Sequence, residues 1–323
     1  MRRREILAAV LVGGSFPRRV AAQIPGRIRR IGWVTAQRAA SLAPYIDAFG
    51  SGLAALGYVE GRNLAIEYRY ADDAIERVPE LAEELARIPV DVLVAQGAAA
   101  FEIHGVKLPI VYGLSADPVS AGFAESLARP RGNMTGLTFM AVEMNGKRLE
   151  LLREIMPGLR RVAIIGNPEH PGAHLERGFS EETGRRLGIG ISYLPTRNRN
   201  ELLDAFATIA EDHPQAMSVL ADGFAVQNRQ EIIDFAMSRR VPVISGWPVF
   251  AQSGAICTYG PRLTESYRRL AYYVDRILNG ANTADLPVEQ PTKFELVVNL
   301  KTAKYLGIDI PQAVEARADE VIE

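Results

Sequence analysis

The chain has 323 residues, of which 48% are hydrophobic and 23% are charged, a composition typical of globular proteins. The length is sufficient for two cores of ordinary size, and no run approaches the roughly 20 apolar residues that a membrane-spanning helix needs. The formal net charge is −1 and there is no long basic block, which argues against nucleic acid or an anionic lipid surface as a partner.

The first 22 residues have the organisation of a secretory signal peptide. Three arginines at positions 2–4 precede an apolar run over residues 6–16, and small residues at 20–22 offer a cleavage site. Paired arginines ahead of the apolar run indicate the twin-arginine route. Residues 1–22 hold five arginines and one glutamate, so the remainder has 32 basic and 37 acidic residues, a formal charge of −5. We therefore expect a mildly acidic mature chain in the periplasm, where its single cysteine can form no intrachain disulfide.

Strand-like runs alternate with amphipathic helical stretches after this leader. The strand-like runs of the first half are residues 29–34, 64–70, 90–95 and 109–112. The spacing of apolar residues predicts helices over 45–56, which Gly57 closes, and over 78–87. The repeated order of strand, helix and strand favours a parallel sheet with helices on both faces.

The alternation starts again in the second half. Helices are predicted at 147–156, 175–187, 201–211 and 227–239, and strands at 161–166, 189–194, 216–220 and 241–245. Two successive α/β units predict two Rossmann-like lobes. A helix at 264–278 and a run at 294–299 must add to these lobes, so the chain crosses between them more than once and forms a hinge. We predict an N-terminal lobe of residues 27–138 plus about 259–284, and a C-terminal lobe of about 139–258 plus about 285–323.

The cleft between the two sheets is the predicted ligand site, because open parallel sheets bind ligands beyond the carboxyl ends of their strands. Candidate contacts in the first lobe follow its strands at Trp33, Thr35, Gln96, Gly97 and Tyr112. Those in the second lobe are Asn167, Asp222, Phe224 and Trp247, and Tyr259 is expected to reach the cleft from a chain crossing.

Several of these residues have two possible roles, one in ligand binding and one in the structure of a lobe. The Asp222 carboxylate follows a strand, where it would hold a ligand ammonium by a charge-assisted hydrogen bond or, alternatively, cap a turn or helix. Trp33, Phe224 and Trp247 would form apolar walls around a planar ligand, or would pack within a lobe. Packing is favoured for Trp33 and disfavoured for Trp247, which lies in a Gly-Trp-Pro loop.

A further set of residues has a mechanical explanation: Asp117, Asn133, Thr135 and Gly136. Asp117 precedes a proline and suits the start of a helix. Asn133 and Gly136 suit a sharp crossover between the lobes, and residues 259–261 suit a second crossover.

Recognisable catalytic and metal-binding motifs are missing from the sequence. His170 and His174 are four residues apart, but the proline and glycine between them exclude the helix that two metal ligands would need. Cys257 has no neighbouring histidine and is expected to be a buried thiol. The sequence has no nucleophile elbow, no P-loop and no dinucleotide-binding glycine motif after a strand. We therefore expect no catalysis, no metal and no cofactor.

Four long segments resemble one family of ABC transporter substrate-binding proteins, the family that includes tryptophan- and tyrosine-type binding proteins. The segments are LGYVEGRNLAIEYR (56–69), ADPVSAGFAESLARPRGNMTGLT (116–138), GKRLELLREIMPGLRRVAIIGNP (146–168) and DLPVEQPTKFELVVNLKTAKYLGI (285–308). Their spacing also fits, so the resemblance covers nearly the whole chain after the leader. One departure is Ala98-Ala99, where relatives often carry a small hydroxyl residue.

The resemblance implies a type I periplasmic-binding-protein fold, with two lobes joined by three crossovers, and a permease with its own ATPase as partner. We expect a monomer that captures a small solute by hinge closure, either an aromatic or branched amino acid or an aromatic acid. A receptor of the same fold, sensing a small molecule for a membrane signalling partner, is the alternative. An exported enzyme built on the same pair of lobes is a third class.

Overall fold

The computed structural model describes residues 28–103, 105–140, 142–220 and 222–323. The predicted signal peptide, residues 1–22, lies outside the described residues. None of the helices in the described part of the chain is both long enough and apolar enough to cross a membrane.

Five parallel strands form the first sheet, in the order β2-β1-β3-β4-β7. The elements of this part are β1 (Arg29–Thr35), α1 (Ala39–Ala55), β2 (Leu64–Tyr70), α2 (Val78–Arg87), β3 (Val92–Gln96), α3 (Ala99–Glu102), β4 (Ile110–Leu114), the hairpin strands β5 (Ala124–Ser126) and β6 (Arg129–Pro130), and β7 (Met134–Thr138). Helix α1 begins six residues before the predicted start and contains Pro44 in its second turn.

The second sheet has seven strands in the order β14-β13-β12-β11-β10-β8-β9. Its elements up to Pro261 are α4 (Glu143–Ile155), β8 (Arg161–Gly166), α5 (Ala173–Leu187), β9 (Gly190–Pro195), α6 (Arg199–Asp212), β10 (Ala216–Val219), α7 (Gly223–Gln227), α8 (Arg229–Ser238), β11 (Val243–Ser245), α9 (Pro248–Ser253) and β12 (Cys257–Pro261). All of its strand pairs are parallel except that of β12 with β13, which is antiparallel.

The last part of the chain contributes elements to both lobes. Its elements are α10 (Leu263–Leu278), β13 (Phe294–Asn299), α11 (Leu300–Leu306), α12 (Gln312–Glu315) and β14 (Glu320–Ile322). Helix α10 returns to the first lobe and packs along α1, whereas β13 and β14 extend the second sheet. The chain therefore passes between the lobes three times: after β7, after β12 and before β13.

Alternation along the strands of the first sheet sends side chains into two apolar layers. Ile31 and Trp33 of β1 point toward α1 and α10, whereas Val34 points toward the layer under α2 and α3. The second sheet has two such layers as well. The fold class predicted from sequence, an α/β protein of two sheet-centred lobes, is confirmed.

The chain crossings lie a few residues from the limits expected from sequence. Tyr259 to Pro261 belong to the second sheet, because β12 pairs there with β11 and β13. Glu289 is still bound to the first lobe, where its carbonyl accepts from the Thr138 N–H and its own N–H donates to Gly136 O.

Candidate ligand site

The carboxyl ends of the two sheets meet at several contacts. The backbone N–H of Asp117, which follows β4, donates to the carbonyl of Pro171, which follows β8, at 3.0 Å. Trp247, which follows β11, packs against core residues of both lobes. Tyr45 of α1 lies in the electrostatic field of Glu295 on β13, and burial with that carboxylate raises the pKa of Tyr45 to about 12. The predicted site therefore lies between two lobes whose strand ends face each other.

Buried hydrogen bonds link three polar side chains at the strand ends of the first lobe. Thr35 Oγ1 donates to Gln96 Oε1 at 2.5 Å, and Gln96 Nε2 donates to the Tyr267 hydroxyl at 2.6 Å. Tyr267 also stacks on Tyr45, with ring centroids 5.0 Å apart. Thr35 and Gln96 were predicted site residues, whereas Tyr45 and Tyr267 lie on helices and were missed. Gly97 begins the turn after Gln96, and its N–H donates to the Gly113 carbonyl at 2.8 Å.

Two predicted contacts lie inside the first-lobe core. Trp33 is completely buried, with its ring centroid 5.1 Å from that of Phe49, as the packing alternative requires. Tyr112 is also completely buried and points to the opposite layer, against Phe123. Within the described part of the chain, the Trp33 Nε1 and the Tyr112 hydroxyl have no hydrogen-bond partner.

Asp222 and Asn167 lie together at the second-lobe strand ends. Asp222 Oδ1 caps helix α7 by accepting from the Ala225 N–H at 2.7 Å. Burial raises the pKa of Asp222, and hydrogen bonds from backbone N–H groups and from the Asn167 side chain oppose that rise. The geometry thus matches the helix-cap alternative for Asp222. Phe224 is half-buried against the second-lobe core.

The hinge set differs from its predicted placement. Asn133 and Gly136 lie within the first lobe, because β7 pairs with β4 and the chain crosses to the second lobe only after β7. The Asn133 side chain donates to the carbonyls of Val106 and Leu108, and Thr135 Oγ1 donates to Leu286 O at 2.5 Å. Asp117 Oδ2 accepts from the Ser120 N–H at 2.6 Å and caps a short turn rather than a helix.

Helix α4 and helix α5 contribute polar side chains that sequence reasoning missed. Arg148, only 6% exposed, donates from Nε to the carbonyl of Tyr259 at 2.8 Å and from Nη1 to Asn145 Oδ1 at 2.6 Å. Asn145 Nδ2 in turn donates to Glu176 Oε1 at 3.2 Å. Asn145 and Arg148 occupy the buried stripe of α4 that continues through Leu152. The signal in the sequence that could have found them is the position of two polar residues, Asn145 and Arg148, within the stripe of apolar residues on α4.

Burial acts on the ionisation of these groups. It lowers the pKa of Arg148 to about 10, so the guanidinium stays charged at neutral pH. It raises the pKa of Glu176, against the opposing effects of Arg148 and Asn145. It also lowers the pKa of His170 to about 4 and raises that of Cys257 to about 12, so both are neutral at pH 7. Over the described residues, no group of three or more His, Cys, Asp or Glu side chains is arranged to hold a metal ion.

The family of the chain follows from a comparison with known families. Residues 38–322 match the profile of the family described as ABC transporter substrate binding protein. The chain belongs to this family. Members are solute-binding proteins that act outside the cytoplasm rather than enzymes.

Individual relatives of this ABC transporter substrate-binding protein are distant in sequence and close in fold. A tyrosine-binding protein of Clostridioides difficile (strain R20291) is 21% identical over 260 residues, 78% of this chain and 73% of that protein. The crystal structure of a conserved domain protein from Vibrio cholerae O1 biovar El Tor is 26% identical, with a TM-score of 0.83, over 91% of this chain and all of that one. A Streptococcus pneumoniae domain in complex with L-Trp is 20% identical, with a TM-score of 0.82, over 91% and 99% of the two chains.

The cap formed by Asp222 can be tested by substitution. Asp222→Ala should lower the free energy of unfolding by about 1 kcal/mol, because Ala225 N–H loses its acceptor, whereas Asp222→Asn should retain the cap. Urea unfolding followed by circular dichroism measures both. Asn198→Ala is the matched control, since Asn198 caps α6 by accepting from Glu201 N at 3.1 Å on an exposed surface. An unchanged stability in Asp222→Ala would contradict the capping role.

Proposed function

We propose that the chain captures a small solute between its lobes in the periplasm and delivers it to an ABC importer. Residues 1–22 serve as its export signal, and the mature chain acts as a monomer with a permease and its ATPase as partners. The observation that carries the proposal is the contact between the strand ends of two sheet-centred lobes, in a chain that crosses between the lobes three times.

Hinge closure is the mechanism that this arrangement supports. The crossings after β7, after β12 and before β13 are the segments that change conformation, while each lobe keeps its own core. A solute that contacts both lobes stabilises the closed form by the difference in its binding free energy between the two forms. The closed form then docks on the permease.

The solute is an aromatic or branched amino acid or an aromatic acid. The half-buried rings of Tyr45 on the first lobe and Trp247 on the second offer aromatic surface between the lobes, and Tyr267 supports Tyr45 from the core by stacking on it. Asn167, which is half-buried at the end of β8, offers an amide group on the second lobe. Relatives of the chain include a tyrosine-binding protein and a domain solved with L-Trp, which is consistent with an aromatic solute.

The two tryptophans of the chain provide a direct test. Trp33 is buried in one lobe, whereas Trp247 lies between the lobes, so solute binding should change the fluorescence of Trp247 alone. We would titrate L-tyrosine, L-leucine, benzoate and other amino and aromatic acids, and follow thermal unfolding in parallel. A solute at 100 times its Kd should stabilise the fold by about 2.7 kcal/mol.

Matched variants locate the signal. Trp247→Phe should abolish the fluorescence change, and Trp33→Phe should retain it. Small-angle scattering should show a smaller radius of gyration with the bound solute. If no solute of these classes alters either fluorescence or unfolding temperature, the proposed function is wrong for them.

A further inference from the structure

Two carboxylates and one guanidinium lie near one another in the second lobe: Glu176, Asp222 and Arg148. They interact electrostatically, since both Arg148 and Asp222 affect the ionisation of Glu176. With all three ionised their sum is one negative charge. Tyr193 and His170 add no charge at neutral pH, because burial raises the pKa of Tyr193 to about 12 and lowers that of His170 to about 4.

The two carboxylates differ in how much hydrogen-bonding capacity they have left. Asp222 accepts from the Ala225 N–H, and hydrogen bonds from the Asn167 side chain and other backbone N–H groups around the start of α7 also stabilise its charge. Glu176 accepts one hydrogen bond within the described residues, from the neutral amide of Asn145 at 3.2 Å. A carboxylate has about four acceptor sites, so Glu176 has unused ones.

The position of Glu176 directs this spare capacity to the cleft. It lies in the first turn of α5, whose N-cap residue Gly172 is so close to Asp117 of the other lobe that an added Cβ would be 2.8 Å from the Asp117 Cβ. The residue is half-buried, and none of the ion pairs within 4.0 Å in the described part of the chain includes Glu176; Arg177, the next residue, pairs with Glu181 instead. Arg148 reaches it only through Asn145, so the guanidinium positions the carboxylate without occupying its free oxygen.

We propose that Glu176, positioned by Asn145 and Arg148, selects solutes that carry an ammonium group, an inference that rests on the proposed function. An ammonium donates up to three hydrogen bonds and brings the charge of the cluster to zero, which lowers the cost of burying both partners. An anion without an ammonium would meet a net negative surface there. Asp222 contributes its charge to this selection, while its oxygens hold the start of α7.

The selection should depend on pH. The groups around Glu176 come from both lobes and several elements: Arg148, Arg177, Tyr193, Asp222, His170 and Asp117. Burial raises the pKa of Glu176 in the free protein, and an ammonium binds its ionised form. Affinity for an amine-bearing solute is therefore complete above that pKa and falls as the pH decreases through it.

Calorimetric titration of the full chain with matched probes tests the inference. The probes are L-tyrosine, tyramine and 3-(4-hydroxyphenyl)propionate, with L-tryptophan and L-leucine and their ammonium-free analogues. Wild type should bind the amine-bearing member of a set about tenfold or more tighter than its ammonium-free analogue. Glu176→Gln keeps the shape and the contact with Asn145, and should abolish that preference together with the loss of affinity at low pH.

Two further variants separate charge at this site from charge in general. Glu182→Gln removes an exposed carboxylate from the same helix and should leave the preference unchanged. Asp222→Asn should keep the pH dependence that Glu176→Gln loses. Equal binding of amine-bearing and ammonium-free probes, unaffected by Glu176→Gln, would overturn the inference and leave solute capture intact. A failure of all the probes to bind wild type would instead overturn the proposed function for these solutes, and the inference with it.

Discussion

Gly136→Ala should destabilise the protein by about 3 kcal/mol or more, because β7 has no room for a side chain at this position. A Cβ there would lie 2.0 Å from the carbonyl oxygen of Tyr112 on the paired strand β4. The residue also has a φ of 153°, a conformation that L-residues rarely adopt. The contacted atoms are backbone, so only a separation of the two strands can relieve the clash.

Guanidinium unfolding followed by circular dichroism measures this loss. Gly50→Ala is the matched control, since nothing lies within 4 Å of its Cβ position on an exposed face of α1. That control should gain about 0.5–1 kcal/mol, because alanine is the better helix former. A stable Gly136→Ala protein with the same unfolding midpoint as wild type would show that the β4–β7 pairing is looser than described.

Arg148→Met should cost about 3 kcal/mol of folding free energy. Methionine keeps the apolar stem, but the Tyr259 carbonyl and Asn145 Oδ1 lose their donors inside the second lobe. Each buried group left without a partner costs about 1–3 kcal/mol. Solute affinity should fall as well, because Asn145 would no longer be held against Glu176.

Urea unfolding and the tyrosine titration measure the two effects of Arg148→Met separately. Lys147→Met, next along α4, removes an exposed ion pair with Glu150 and should change stability by less than about 0.5 kcal/mol. A loss below about 1 kcal/mol in Arg148→Met would mean that water replaces the guanidinium at both acceptors.

Hydrophobic periodicity was sufficient to predict the two lobes. Helices such as α2 and α10 bury residues at helical spacing, and the central strands are continuous apolar runs. The run at 294–299 was predicted to join a lobe, but the antiparallel direction of β13 could not be predicted, because direction in a sheet depends on the path of the whole chain. The sequence predicts a crossover where the structure has strand β7, because Asn133 and Gly136 are typical turn residues. The structure explains Gly136 by the close approach of the Tyr112 backbone, which leaves no room for a side chain.

The placement of the candidate site residues in the fold was predicted in part. Thr35, Gln96, Asn167 and Asp222 do lie at strand ends, as the general rule for parallel sheets requires. Trp33 and Tyr112 were placed there by the same rule, but side-chain alternation buries them in the two layers of the first lobe. Arg148 and Glu176, the residues of the proposed ammonium selection, were not predicted, because the rule concerns strand ends and these side chains come from helices.

The return of α10 to the first lobe has a consequence for synthesis. While a ribosome makes the chain, Trp33 and Phe49 stay without the cover of Leu270 and Val274 until α10 has emerged, after the whole stretch from 139 to 262. The core of the first lobe therefore keeps apolar surface exposed through most of translation. Nascent chains with exposed apolar surface depend on chaperones. Late completion of this kind also delays compact folding until nearly all of the polypeptide is available.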